Sequence, residues 1–265
     1  MLNKTPKIKN LIIGLAALAV SFVSNAQEAG DINWKQWNVL IPVDSGGGYS
    51  TLLEGKAAKK GATNPEFRKY IKQNSNSTFE LRTTFNGVTE DGEFGLNQGK
   101  YSSSEFVEVY NKNKDNYWPN TGSHILKSRL KTYKVNGIGT TYISRIVSKD
   151  KSGEQFDKIR IMWRDGYILA EVRESYSGGI RYKRTKVAEV GENMFNFTLK
   201  MSSGRVSMSI NCKNTGVDKK SIPVADLGKT ENSKNLFRIG NFYKNDENSE
   251  DSVTVQIKHV TLIHK

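Results

Sequence analysis

An all-β sandwich of the jelly-roll, concanavalin-like kind is the fold this sequence predicts. Eleven short segments alternate apolar with polar residues or are rich in β-branched and aromatic ones. Glycine, asparagine or aspartate separates them, and a single stretch has the character of an interior helix.

In chain order the first five segments are WNVLIPVD from Trp37, STFELRTTF from Ser77, SSEFVEVY from Ser103, HILKSRLKTYKV from His124 and GTTYISRIVS from Gly139. DKIRIMWRDG from Asp157, YILAEVRES from Tyr167, FNFTLKMSS from Phe195, RVSMSINC from Arg205, NLFRIGNFY from Asn235 and SVTVQIKHVTLI from Ser252 follow. Asp165-Gly166 and Ser203-Gly204 sit between consecutive β runs and predict two tight hairpins. The helix candidate is NPEFRKYIKQ, with Asn64 as cap and Pro65 at the first helical position. No internal repeat or low-complexity linker divides the chain, so residues 27–265 are expected to form one domain.

Residues 1–26 read as a secretory leader: Lys4, Lys7 and Lys9, an apolar run from Leu11 to Val23, then small residues up to a cleavage site after Ala26. The apolar run is too short for a membrane span. The expected location is secreted or periplasmic. Cys212, the only cysteine, has no partner for an internal disulfide and reads as a small buried residue. The core alone must hold such a chain together.

The formal charge is +13, or +10 without the three leader lysines. A surface this basic implies a polyanionic partner. Export argues against nucleic acid, and the lack of a basic amphipathic helix argues against a membrane. An acidic polysaccharide fits both, bound by a monomer. Bases recur on one face of several strands: Lys127, Arg129 and Lys131 in HILKSRLKTYKV, and Arg145 and Lys149 in TYISRIVSK. They predict a cationic groove on one sheet. In LFRIGNFYKN, Phe237 and Ile239 share one face, while Arg238, Gly240, Phe242 and Lys244 share the other. Gly240 is expected to leave room there for a polymer chain.

The order of these segments resembles the alginate lyase jelly rolls of polysaccharide lyase family seven and their relatives, which include ulvan lyases. WKQWNVLIPVDSGG resembles the family's opening. KYSSSEFVEVY resembles its Arg-Ser-Glu-Leu-Arg-Glu strand, keeping Glu105 and Glu108. WPNTGSHILKSRLKTYKV resembles its Gly-x-His-x-Leu strand through Trp118, Gly122, His124 and Leu126, and DKIRIMWRDGYILAEVRES resembles the hairpin that follows. LFRIGNFYK resembles its Tyr-Phe-Lys-Ala-Gly-Asn-Tyr-x-Gln strand, and VTLIHK its closing strand.

The resemblance implies β-elimination on a uronate polymer such as alginate or ulvan, without metal or cofactor. That reaction needs a cation at the C6 carboxylate, a base at C5 and an acid at O4. The family's arginine position falls on Ser103, its glutamine on Arg145, its histidine on Val147 and its tyrosine on Phe242. Arg145 is therefore expected to neutralise the carboxylate, with Lys149 and Tyr243 as the displaced proton-transfer groups. Glu105, Lys127, Arg129, Arg238 and Lys244 are the expected substrate-binding residues. The alternative is a carbohydrate-binding protein on the same fold without catalysis. His124 is expected to be structural. Glu105 and Glu108, three apart on a strand, are expected on opposite faces, which disfavours a glycosidase pair. His259 and His264 show no metal-ligand spacing.

Overall fold

Both predicted hairpins turn through residues with positive φ, 45° and 87° at Asp165 and Gly166 and 48° and 82° at Ser203 and Gly204, as a primed turn requires. The structure is a computed structural model, and it describes residues 32–44, 50–61, 64–74, 78–83, 101–110, 116–136, 139–176, 179–229, 232–244 and 252–265. The leader segment, 1–26, lies outside them, as do the side chains of Tyr243 and Lys244.

The chain runs through β1 (Trp37–Asp44), β2 (Ser50–Leu53), a seven-residue helix α1 (Gly55–Gly61), β3 (Ile71–Gln73), β4 (Phe79–Arg82) and β5 (Tyr101–Glu108). It continues with β6 (Ser123–Asn136), β7 (Thr140–Lys149), β8 (Gln155–Arg164), β9 (Tyr167–Tyr176) and β10 (Gly179–Glu189). β11 (Phe195–Ser202), β12 (Arg205–Cys212), β13 (Val217–Asp226), β14 (Lys234–Lys244) and β15 (Ser252–His264) complete it. Eight strands form one antiparallel sheet in the order β10-β9-β8-β7-β14-β5-β1-β2, and seven form the other in the order β13-β12-β11-β6-β15-β4-β3. This is the jelly-roll sandwich that the alternating segments predict.

The core lies between the sheets. Trp37, Phe106, Ile146, Trp163 and Phe237 enter it from the first sheet, and Leu126, Leu130, Phe197, Leu199 and Ile257 from the second, each at most 1 % exposed. Burial of this apolar surface is the main stabilising term. Cys212 is among the buried residues, as expected of an unpaired cysteine.

NPEFRKYIKQ is not a helix. Asn64 Oδ1 accepts from Glu66 N at 3.0 Å, and the carbonyls of Asn64 and Phe67 close isolated turns over Pro65–Tyr70. The chain then enters β3, because Tyr70 and Ile71 are drawn into the core and Ile71 pairs with Leu81. Packing overrides the local propensity.

Two polar clips join the sheets. Asn241 of β14 donates to the Leu81 carbonyl of β4 at 3.2 Å and to the Val253 carbonyl of β15, while its Oδ1 accepts from Thr141 at 2.7 Å. Glu108 faces inward: its Oε2 accepts from Trp118 Nε1 at 2.8 Å and Phe237 N at 2.6 Å, and its Oε1 lies 2.7 Å from His264 Nε2.

Gly240 has a different use from the one expected. A Cβ built on it meets Ser104 O at 2.5 Å and Glu105 Cα at 2.7 Å, so the space belongs to strand β5 rather than to a ligand. Its φ of +155° and the register shift between Ile239 and Phe242 mark a bulge against β7. Gly240→Ala should lower the denaturant midpoint by the equivalent of about 1–3 kcal/mol or more, the usual cost of overpacking; an unchanged midpoint would show that β5 yields to the methyl group.

Candidate active site

β7 and β14 are neighbours, and Arg145 stands directly opposite Arg238 across them. Both side chains project from the face of the eight-stranded sheet that points away from the core. Two guanidinium groups at adjacent positions repel one another unless anions lie between them. β5, on the far side of β14, supplies one: Glu105 Oε1 accepts from Arg145 Nε at 3.1 Å, Glu105 Oε2 pairs with Arg145 Nη2, and Glu105 Oε2 lies 3.8 Å from Arg238 Nη1. β8, on the far side of β7, supplies the other: Asp157 Oδ1 accepts from Arg145 Nη1 at 3.0 Å, and its Oδ2 from Arg160 Nε at 2.7 Å.

Arg145 is thus gripped by two carboxylates and has no exposed surface, so it offers no face to the sugar carboxylate that it was expected to neutralise. Phe242 lies under it, the ring centre 3.6 Å from the guanidinium carbon, and Ser103 Oγ donates to Glu105 Oε2 at 2.6 Å. The position that the resemblance assigns to a tyrosine is therefore occupied by a ring that supports Arg145 by stacking. Burial alone raises the Asp157 pKa; the charges of Arg145 and then Arg160, with the Arg160 hydrogen bond, outweigh it and hold the carboxyl below its usual value.

Val147 lies in an apolar cluster with Leu40, Val107 and Leu236, against which Tyr117 packs. Tyr142 pairs with Phe242 in register, with ring centres 5.8 Å apart on the same outer face. Lys149, at the end of β7, is half-buried with Nζ 5.5 Å from the Tyr117 ring. Four residues of strand put it about 13 Å from Arg145 along the backbone. The two groups take different partners and do not converge.

Of the other expected site residues, Glu105 and Arg238 join Arg145. Lys127 and Arg129 do not. They are exposed on β6, in the opposite sheet, alternating with the core residues Leu126 and Leu130. A periodicity shared by two strands says nothing about which sheet each joins, and the single groove that would unite them with Arg145 does not form. The backbones of Tyr243 and Lys244 continue β14 opposite Ser102 and Tyr101. Glu105 and Glu108 occupy opposite faces, as expected. Asp157 and Arg160 were not singled out from sequence, because a one-residue bulge at Lys158 turns Asp157 outward. Among the described residues no cluster of three or more histidine, cysteine or acidic side chains is arranged to hold a metal ion.

A second polar cluster sits between the sheets. His124 stacks on Trp118 at 4.4 Å; its Nε2 donates to the Thr121 carbonyl at 2.7 Å, and its Nδ1 lies 2.9 Å from His264 Nδ1. The Nδ1 pair needs one donor and one acceptor, so doubly protonating both rings breaks the bond. Burial lowers the His124 pKa below 6.5, with a further contribution from His264, against the Thr121 and Glu108 contacts that raise it. Its role is structural, as expected.

Residues 31–264 match the family model described as alginate lyase. The chain belongs to this alginate lyase family, and is a polysaccharide lyase. Solved structures share the fold. The alginate lyase A1-II′, described as a member of polysaccharide lyase family 7, superposes with a TM-score of 0.70 at 16 % identity, covering 88 % of this chain and 96 % of that one. The alginate lyase of Klebsiella pneumoniae gives 0.69 at 13 % identity, covering 88 % and 97 %. That of Pseudomonas aeruginosa gives 0.65 at 17 %, covering 88 % and 100 %. Comparison with curated proteins found no match.

Removing Arg145 strands Glu105 and Asp157 as buried charges. Arg145→Met should therefore cost about 3–5 kcal/mol in the denaturant midpoint, and an unperturbed midpoint would show that the carboxylates find other partners. The stability that Asp157 contributes is present above its unfolded-state value of about 4 and is lost as pH falls through its lowered folded value. His124 acts earlier: its neutral form is favoured by folding, so stability should decline as pH falls below about 6.5. His124→Gln should flatten that part of a stability-versus-pH curve, and an unchanged slope would exclude the histidine pair as its cause.

Proposed function

We propose that the chain is an exported lyase that cleaves a uronate-containing anionic algal polysaccharide, such as alginate or ulvan, by β-elimination across the outer face of the eight-stranded sheet. The observation that carries this reading is the opposed pair Arg145 and Arg238, held in place by Glu105 within a chain of this family. A fixed cation such as Arg238 neutralises a C6 carboxylate without reorganising, which makes the C5 proton removable; Arg145, already occupied by Glu105 and Asp157, holds this arrangement in place. One form of the A1-II′ enzyme, which superposes at a TM-score of 0.70 and 16 % identity, is described in complex with the substrate GGMG, and this supports reading the shared fold as one that takes an oligosaccharide.

Arg145, wrapped by two carboxylates, positions its neighbours, while Arg238 flanks the sugar carboxylate. A base removes the C5 proton, the C4–C5 double bond forms, and O4 leaves with a proton from an acid. Tyr243 and Tyr142, the cross-strand partner of Phe242 and a phenol on the same face as Arg145, are proposed for these transfers; Lys149, beside Tyr117 and about 13 Å from Arg145 along β7, is given no part in them. Val147 in an apolar cluster and Phe242 under Arg145 favour a second reading: a carbohydrate-binding protein that performs no elimination.

The unsaturated uronate absorbs in the ultraviolet, so continuous absorbance with alginate, ulvan and glucuronan should rise with at least one polymer. A flat trace with every polymer that the protein nonetheless binds would establish the binding reading instead. Arg238→Ala should raise KM about tenfold or more with a smaller effect on kcat, the pattern of lost substrate binding. Of Tyr243→Phe and Tyr142→Phe, those that remove proton-transfer groups should lower kcat by about 100-fold or more, while Lys149→Ala should leave kcat within a few-fold; full activity in both tyrosine variants would remove them from the mechanism.

A further inference from the structure

At one end of the eight-stranded sheet two neighbouring strands part. The register of β8 with β9 runs from Arg164 opposite Tyr167 to Ile159 opposite Val172. Beyond that point β8 stays paired with β7 as far as Gln155, and β9 with β10 as far as Tyr176. The bulge at Lys158 starts the divergence. The Asp157 carbonyl takes its hydrogen bond from the Tyr182 hydroxyl of β10, at 2.9 Å. Between the splayed ends is a cavity of about 230 Å³, lined by Phe156 and Lys158 of β8, Arg173 and Ser175 of β9, and Asp150 and Glu154 from the hairpin turn.

The cavity holds two cations and two carboxylates, but among the described residues no ion pair joins them. The Arg173 guanidinium carbon lies 4.1 Å from the centre of the Phe156 ring, and Lys158 Nζ lies 6.0 Å from the same ring. Arg173 Nη1 is buried without a hydrogen-bond partner. Nearby arginines are matched differently: Arg160 has Asp157, Arg184 has Glu171 and Arg181 has Glu174. The two acids of the cavity do not fill the role. Asp150 accepts from Ser152 N, Ser152 Oγ and Glu154 N to close the turn, and Glu154 is exposed. Burial, and secondarily the Arg173 charge, lower the Lys158 pKa.

We propose that this cavity is an anion subsite that takes the carboxylate or sulfate of one acidic sugar. Arg173 and Lys158 bind the charge, and the Ser175 hydroxyl is available as a further donor. Lys158 is two strand residues from Arg160, about 7 Å, so the subsite would hold a sugar further along a polymer whose reacting unit lies over the arginine cluster. The choice of a sugar rests on the lyase reading above, whereas the anion chemistry stands on the cavity alone.

The test is titration calorimetry on the mature chain with oligouronates of increasing length, with a sulfated oligosaccharide, and with a neutral oligoglucose as control. Arg173→Ala and Lys158→Ala should each weaken binding of an anionic oligomer by about tenfold or more, as loss of a charge-assisted contact does. Arg173→Lys should retain part of the affinity, and the neutral sugar should not distinguish the proteins. The arm that loses affinity, carboxylated or sulfated, identifies the anion. Equal affinity of wild type and both alanine variants for every anionic oligomer overturns the subsite, even where unsaturated product still forms. Loss of affinity in both variants with no polymer cleaved sustains the subsite and overturns the lyase reading. If Arg173→Ala does not fold, the half-buried Lys158→Ala carries the same comparison.

Discussion

The grip of Glu105 and Asp157 on Arg145 is the interaction on which the outer face of the larger sheet depends. Three strands that need only backbone hydrogen bonds to lie side by side are also bound through one guanidinium. A buried ion pair is weak as a source of stability, because removing charges from water offsets most of the Coulomb gain. Its effect lies in geometry: Arg145 can satisfy both carboxylates only when β5, β14, β7 and β8 keep their register. A slip of one residue would turn Glu105 inward and leave a bare charge in the core. The network therefore specifies the arrangement more than it stabilises it, and it keeps neighbouring cations fixed in a region of low dielectric.

The inner face is organised by different means. Glu108 and Asn241 each satisfy several groups from both sheets, so that backbone atoms displaced by bulges and strand ends are not left unpaired. Glu105 and Glu108 are three residues apart and have unrelated duties, one among guanidinium groups and the other among an indole, a backbone amide and a histidine. The parity of a strand, rather than proximity in sequence, separates them.

Much of this was legible in the sequence. Alternation located eleven of the fifteen strands described, and the two primed turns were readable from Asp-Gly and Ser-Gly alone. β10 and β13 escaped notice because both are largely exposed with basic residues on both faces, arginine and lysine in β10 and Lys219 and Lys220 in β13, so no period of two survives. β2 and β3 are only four and three residues long. At the site, Arg145, Glu105 and Arg238 were visible as charges on one strand face, but their mutual pairing was not, since contact across strands depends on sheet order. Asp157 lay beyond reach for a sharper reason: simple alternation with Ile159 and Ile161 assigns it to the core, and the bulge that reverses it leaves no mark in the residue types. Lys127 and Arg129 show the converse error, a correct face on the wrong sheet.

The four strands that were hardest to read occupy the four edges of the two sheets, β10 and β2 in one and β13 and β3 in the other. An open edge offers unpaired amides and carbonyls to any passing strand, which makes it the starting point of fibrous aggregation. Here two edges are blunted by cationic side chains and two by brevity. A protein built almost wholly of strands thus protects itself from polymerising with its own copies, and the features that hid these segments from pattern reading are the same ones that keep the chain dispersed.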